Sequence, residues 1–327
     1  MRKKSVAHLQ AALRRENGSC IRHTMKDRLP TPAIVLCVLL MLNLARASAA
    51  DPQGERKEAP RESKDIAYVE GGHEQQRLDI YLPSSPGPHP LIVYVHGGAW
   101  RGGSKNDQPL GKLVAQGFAV ASVDYRLSTV APFPAQMHDI KAAIRFLRAR
   151  AGEYGLDTKR FAIAGSSAGG HLAALAGVTN GNAELEGTLG AHRDQSSAVQ
   201  AIISLFGASD LTTILAQSTP HGLKMRVPAL ELLLGGQPDA KPGLARLASP
   251  VFQAGSHAPP LLLIHGDQDP QMPINQAHEL HGRYKELARP VEFQVIHGAA
   301  HGGPKFYDDE RTALMRAFLA KHLDGKR

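Results

Sequence analysis

Cysteine is almost missing from this chain: two occur in 327 residues, Cys20 and Cys37, and none beyond. Residues 38–327 therefore carry no thiol chemistry and no disulfide framework. A membrane-length apolar run is missing too. The stretch Ala33–Ala45, broken by Asn43, would reach only about 20 Å as a helix, short of the roughly 30 Å of a bilayer core. Internal repeats and low-complexity tracts are absent, which excludes solenoids and propellers. The formal net charge is +8, but nine of the 38 Lys/Arg and two of the 30 Asp/Glu fall in residues 1–50, leaving 29 against 28, a net of +1. With the basic excess confined to the N-terminal segment and no basic stripe elsewhere, nucleic acid is not an expected partner.

What the N-terminal segment does have is order of another kind. Lys26 and Arg28 precede the apolar Ala33–Ala45, which ends in the small residues Ala47-Ser48-Ala49-Ala50. This three-part arrangement is that of a secretory signal within a leader of residues 1–50. It predicts cleavage near Ala49-Ala50, a periplasmic or secreted product and no stable membrane anchor after processing. Val35-Leu36 before Cys37 is a poor lipoprotein site, so no lipid anchor is expected. The charged, Pro-containing stretch that follows reads as a flexible linker over residues 51–65. Residues 66–327 are long enough for one large domain.

From Ile66 onward, apolar runs alternate with helical periods, the pattern of an α/β fold with a mostly parallel sheet covered on both faces. Eight strands are predicted at Ala67–Val69, Leu78–Leu82, Leu91–Val95, Ala119–Asp124, Phe161–Ala164, Ala201–Phe206, Leu261–Ile264 and Val291–Ile296. Gly71-Gly72 between the first two suggests an antiparallel hairpin. Helices are predicted at Pro109–Gln116, Ala135–Ala151, Gly169–Val178, Asn275–Ala288 and Asp308–His322. Between about residues 209 and 250 the alternation lapses into short helical pieces among Gly and Pro breaks. That stretch reads as a small cap insertion over a pocket or as an ordinary crossover.

The chemistry begins at Phe161-Ala-Ile-Ala-Gly-Ser-Ser-Ala-Gly-Gly170. It places G-x-S-x-G between a strand and a helix, a sharp turn that lifts the serine hydroxyl above a sheet. Ser167 fits the spacing; Ser166 would need glycines where Ala164 and Ala168 stand. A serine hydroxyl is inert until a base takes its proton, and a carboxylate on the far ring nitrogen of a histidine base fixes its tautomer. His301 is the candidate base and Asp269 the candidate acid, with Asp267, His297, His265 and His96 as available rivals. The backbone amides of Gly97 and Gly98, after the apolar Leu91–Val95, and of Ala168 suit an oxyanion. A metal reading would recruit His297-x-x-x-His301, but Gly298 and Gly302-Gly303 mark a loop rather than the helix that spacing needs. No metal or other cofactor is expected. His171, four residues into the helix, reads as a packing histidine.

Taken together, His96-Gly-Gly-Ala-Trp100, Val123-Asp-Tyr-Arg-Leu127, Gly165–Gly170 with His171-Leu172, His265-Gly-Asp-Gln-Asp269 and Gly298-Ala-Ala-His301 resemble the α/β-hydrolase superfamily. Within it they are similar to carboxylesterases of the hormone-sensitive-lipase-like and feruloyl/acetyl-carbohydrate esterase kind. The resemblance covers residues 66–323. It implies the α/β-hydrolase fold, the acid at Asp269 rather than Asp267 and the base at His301 rather than His297. It also implies a cofactor-free serine carboxylesterase acting on small-molecule or carbohydrate esters with short acyl or aryl groups. Ala99 in place of a third glycine, and Ser166 before the nucleophile, point to a His-Gly-Gly-x-Trp branch that also holds arylformamidases, so amide hydrolysis, as by an arylformamidase or an exopeptidase, is the alternative activity. A non-catalytic binding member of the fold is the alternative of another class. Trp100, Phe206 and Tyr307 are candidate pocket walls, each equally readable as core.

Overall fold

A computed structural model describes residues 61–324. The leader, cleavage site and linker residues 51–60 expected from sequence lie outside the described residues. Eight strands form one sheet in the order β1-β2-β4-β3-β5-β6-β7-β8. They are β1 (Arg61–Ala67), β2 (Arg77–Leu82), β3 (His89–Val95), β4 (Ala119–Val123), β5 (Leu156–Ser166), β6 (Ala201–Leu205), β7 (Leu261–Gly266) and β8 (Val291–Ile296). β1 pairs antiparallel with β2, and β2 with β4; every other pairing is parallel. This is the α/β-hydrolase arrangement.

The alternation of side chains along each strand divides the core in two. Leu91, Val93 and Val95 of β3 enter one cluster; Ile92 and Tyr94, pointing the other way, enter a second. Helices α1 (Ala135–Ala149) and α2 (Ala168–Val178) cover the first face. So do α3 (Pro220–Leu234) and α4 (Asn275–Glu286). Helix α5 (Asp309–Leu323) covers the second through Met315, Phe318 and Leu319. α1 illustrates the cause: Met137, Ile140, Ile144 and Leu147 are buried at helical spacing, forming one apolar stripe. α2 is different, buried almost all round and built of small residues. A Cβ at Gly170 would lie 2.8 Å from the Leu205 carbonyl and one at Gly177 2.4 Å from the Ile202 side chain, so glycine lets this helix press against β6.

Two sequence expectations are corrected. The linker predicted to run to residue 65 stops sooner, because residues 61–65 belong to β1. This edge strand leaves most of its side chains in solvent. It is held by its ladder to β2 and shows no apolar alternation to read. The helix predicted over Pro109–Gln116 shrinks to Gly111–Val114. The stretch from residue 209 to 250 contains α3 and two shorter helices, Ile214–Gln217 and Pro242–Leu247, and a third, Pro250–Gln253, begins at its end.

Candidate active site

Parallel strands deliver their following loops to one edge of the sheet, and every candidate group sits on such a loop. Ser167 follows β5, Gly97 and Gly98 follow β3 next to it, Asp269 follows β7 and His301 follows β8. Backbone geometry explains the glycines around the serine. Ser167 has φ 55° and ψ −120°, a strained conformation for a residue bearing a Cβ. The turn is pressed so tightly that a Cβ at Gly165 would lie 2.2 Å from the Gly169 carbonyl, and one at Gly169 2.0 Å from that of Val95. The strain is held in place by an amide bond from Ser167 to the Leu205 carbonyl, 2.9 Å, and by the first turn of α2, where the His171 amide donates to Ser167, 3.0 Å.

The hydroxyl of Ser167 lies 2.8 Å from Nε2 of His301, whose Nδ1 lies 2.6 Å from Oδ2 of Asp269. The other carboxylate oxygen accepts the amides of Gln271 and Met272, each at 2.8 Å. Burial opposes ionisation of Asp269, but hydrogen bonds from His265, His301 and the Met272 amide outweigh it and hold the carboxyl well below the usual range. The rivals take other partners. Asp267 accepts from the exposed His297, 2.7 Å, and from the Gly298 amide, 2.7 Å, bracing its loop. Ser166 bonds the Tyr94 hydroxyl at 3.0 Å. His96 is buried, bonded through Nδ1 to the Gly97 carbonyl at 2.8 Å and stacked on Tyr125; burial lowers its pKa.

A cleft of about 380 Å³ opens over the serine, lined among others by Gly97, Gly98, Phe206 and His301. That volume suits a small ligand. Gly98 takes φ 108°, and a Cβ there would meet the Gly102 carbonyl at 2.1 Å. Gly97 lies against the serine: a Cβ on it would stand 3.4 Å from that of Ser167. Ala168 is the first residue of α2, so its amide has no acceptor within the helix. Phe206 packs edge-on against His301, centroids 4.8 Å apart, forming a wall of the cleft beside the base.

The other two aromatic candidates lie elsewhere. Trp100 is fully buried in the core. Ala99 and Trp100 both take positive φ, 52° and 60°, which turns the indole inward so that Nε1 donates to Nδ1 of His171, 3.0 Å. His171 in turn bonds the Ala248 carbonyl through Nε2, 2.6 Å, and burial lowers its pKa to about 4. It is a neutral strut between the Gly97-Gly98 loop, α2 and the insertion. Tyr307 sits behind the nucleophile with Tyr94 and Ser166, its hydroxyl raised in pKa by burial and by Tyr94.

Four residues at the site carried no signal of their role in sequence. His265 was visible only as a rival base. Its Nε2 lies 3.0 Å from the Met272 carbonyl and 3.3 Å from Oδ2 of Asp269, so it steadies the acid. Met225 and Arg226 of α3 and Arg101 of the loop after β3 line the cleft. Among the described residues, no cluster of three or more His, Cys, Asp or Glu could hold a metal ion, and no helix is long and apolar enough to cross a membrane.

An eight-stranded sheet with a hydrogen-bonded Ser–His–Asp line at the carboxyl ends of its strands defines an α/β-hydrolase with a nucleophilic serine site. Comparison with known proteins narrows this. The chain belongs to the BD-FAE family, which it matches over residues 78–284. It is similar to "Esterase LipC" of Mycobacterium tuberculosis, 35% identical over 263 residues, 78% of this chain and 63% of that protein. Solved structures similar to it include a "truncated form of carbohydrate esterase from gut microbiota", with a TM-score of 0.72 and 31% identity over 81% of this chain and 97% of that one. Another is a bifunctional GH43-CE protein of Bacteroides eggerthii, with a TM-score of 0.72 and 35% identity over 80% of this chain and 35% of that one. Against the mycobacterial relatives LipC, LipQ and LipM, the aligned region spans 55% to 63% of their length.

Proposed function

We propose that this protein is an exported serine carboxylesterase that hydrolyses short-chain acyl or aryl esters, including those borne by carbohydrate, through an acyl-enzyme. The observation that carries the reading is the unbroken line Ser167–His301–Asp269 beside Gly97 and Gly98 in an open cleft. His301 takes the Ser167 proton at Nε2 as Oγ attacks the ester carbonyl, and Asp269 holds the imidazolium that forms. The negative charge develops on the carbonyl oxygen, for which the amides of Gly97, Gly98 and Ala168 are the candidate donors. Collapse breaks the bond to the alcohol oxygen, which leaves with the proton from His301. Water then repeats the sequence on the acyl-enzyme: His301 takes one proton, hydroxide adds to the carbonyl, and the acid leaves as Oγ recovers its proton.

The similarity to a carbohydrate esterase from gut microbiota supports a sugar-borne ester. The Ala33–Ala45 core and the Ala47–Ala49 box support export. A panel of 4-nitrophenyl acyl esters, methyl ferulate, acetylated xylan and N-formylkynurenine tests the activity. Turnover is expected on the short esters. Preference for the formamide would replace esterase by amide hydrolase. Silence on every substrate, with no labelling by a fluorophosphonate, would leave a binding protein. For export, protein from the cell envelope or medium should begin near Ala50 or Asp51, and an intact leader in the cytoplasm would contradict it.

A further inference from the structure

The cleft holds two cations and no anion to match them. Arg226 reaches it from α3 and Arg101 from the loop after β3, and no carboxylate is among the residues lining it. Arg226 is 1% exposed. Its Nε donates to the Gln271 carbonyl at 3.3 Å, Nη1 has no hydrogen-bond partner, and the guanidinium carbon stands 5.7 Å from the Trp100 ring centre. Among the described residues neither arginine forms a salt bridge. Asp269 lies near enough for its charge to favour the cationic form of Arg226. Its oxygens, however, already serve His301, the Gln271 and Met272 amides and His265.

A guanidinium carries five N–H donors in a planar fork that matches a carboxylate. Burying one without an ion-pair partner is strongly unfavourable unless something in the site completes it. A charged residue meant only to solvate a helix face would stand in water, whereas Arg226 is sunk beside the nucleophile. Arg101, half-buried on the oxyanion side, adds a second positive charge to the same small volume.

Resting on the esterase reading above, we propose that Arg226 and Arg101 form an anion subsite selecting esters that carry a carboxylate close to the scissile bond, as a uronic-acid sugar or an acidic aryl group does. The carboxylate completes the hydrogen bonding of Arg226 and offsets both charges. Neutral esters still meet Ser167 but leave the fork unpaired. The subsite thus acts on substrate choice and not on the chemistry of the triad.

Two matched pairs of probes test this with the full chain. On the alcohol side they are 3-acetoxybenzoate and its amide, 3-acetoxybenzamide. On the acyl side they are the mono-4-nitrophenyl ester of isophthalic acid and its 3-carbamoyl counterpart. The unmodified protein should favour the anionic member of one pair by about tenfold or more in kcat/KM, since charge-assisted bidentate bonds are the strong ones. That preference should shrink as salt is raised, and the favoured pair identifies which side of the ester carries the charge. Arg226→Met, and independently Arg101→Gln at its less buried position, should bring the anionic-to-neutral ratio toward one. The comparison is a ratio within each variant, so a general loss of activity does not imitate it. Equal rates on both members of both pairs, with fluorophosphonate labelling intact, would overturn the subsite alone. A ratio unchanged in both variants would do the same. Silence on all four probes without labelling would overturn the esterase reading beneath it.

Discussion

The wall of the cleft that carries the nucleophile and the wall opposite are built on different physical terms. At the first, β3, β5 and α2 meet so closely that two positions of the turn admit no side chain: a Cβ at Gly165 or Gly169 would lie within 2.2 Å of a backbone carbonyl. Position there is set by backbone sterics. At the second, α3 is docked on the acid loop by a few polar contacts. Thr219 donates its hydroxyl to the Pro270 carbonyl at 2.6 Å and Arg226 its Nε to that of Gln271 at 3.3 Å, while Gly222 lies close to both carbonyls. Here side-chain chemistry decides. On the proposed function, the first wall holds the reacting groups and the second is where the substrate can change without disturbing them.

Substitutions should divide along that line. The largest effect belongs to the rigid wall. Ser167→Ala should lose on the order of 10⁶ in kcat, by analogy with the subtilisin triad, whose members fail as a unit. Single-turnover assays on a 4-nitrophenyl ester would measure it; activity surviving within a hundredfold would detach Ser167 from the reaction. Next come the two aspartates of one loop. Asp269→Asn leaves the fold but withdraws the acceptor that fixes the His301 tautomer, an exchange that costs about 10⁴ in kcat in the serine-protease case. Asp267→Asn touches only His297 and the Gly298 amide and should cost far less. Circular dichroism controls for folding, and a greater loss at Asp267 would reverse the assignment.

The third prediction lies where the walls join, at His171. Its folded pKa, about 4, is below the ordinary 6.5, so the unfolded chain binds more protons between those values. The stabilising contribution of neutral His171 is therefore complete above about pH 6.5, falls as the pH drops and is gone near pH 4. Its size is about 3 kcal/mol. Melting temperatures of the unmodified and His171→Gln proteins across this range should converge in acid, and parallel curves would show that His171 does not titrate in this way. The smallest effect is that of Trp100→Phe. It removes the donor to Nδ1 of His171 while keeping the ring, and an unpaired buried acceptor costs about 1–3 kcal/mol. Stability should fall by that much with a modest drop in kcat as the Gly97-Gly98 loop loosens. An unchanged melting temperature would mean that the 3.0 Å bond contributes nothing.

The same division governs what could be read from sequence. The rigid wall writes itself into the chain, because its sterics permit only glycine at Gly165 and Gly169, and buried strands leave apolar runs before each loop. The parallel core and Ser167 were legible for that reason, whereas Asp269 over Asp267 and His301 over His297 followed from the family resemblance. The antiparallel pairing of the first two strands was legible, but the start of β1 over residues 61–66 was not, since an exposed edge strand held by backbone bonds needs no alternation. Trp100 stood open between pocket wall and core, because an aromatic beside an oxyanion loop reads either way; positive φ at Ala99 and Trp100 turns it into the core. Arg226 was silent, since an arginine on a helix ordinarily marks a solvated face. Side-chain chemistry on a docked helix leaves no such backbone signature.

Ser167, and no other group, is expected to become covalently acylated. Treating the protein with a fluorophosphonate and mapping the modified peptide by mass spectrometry tests this most directly. A single adduct is expected on Ser167, absent from Ser167→Ala and much slowed in Asp269→Asn. An adduct on Ser166, whose hydroxyl bonds Tyr94 and not His301, or undiminished labelling of Ser167→Ala, would contradict it.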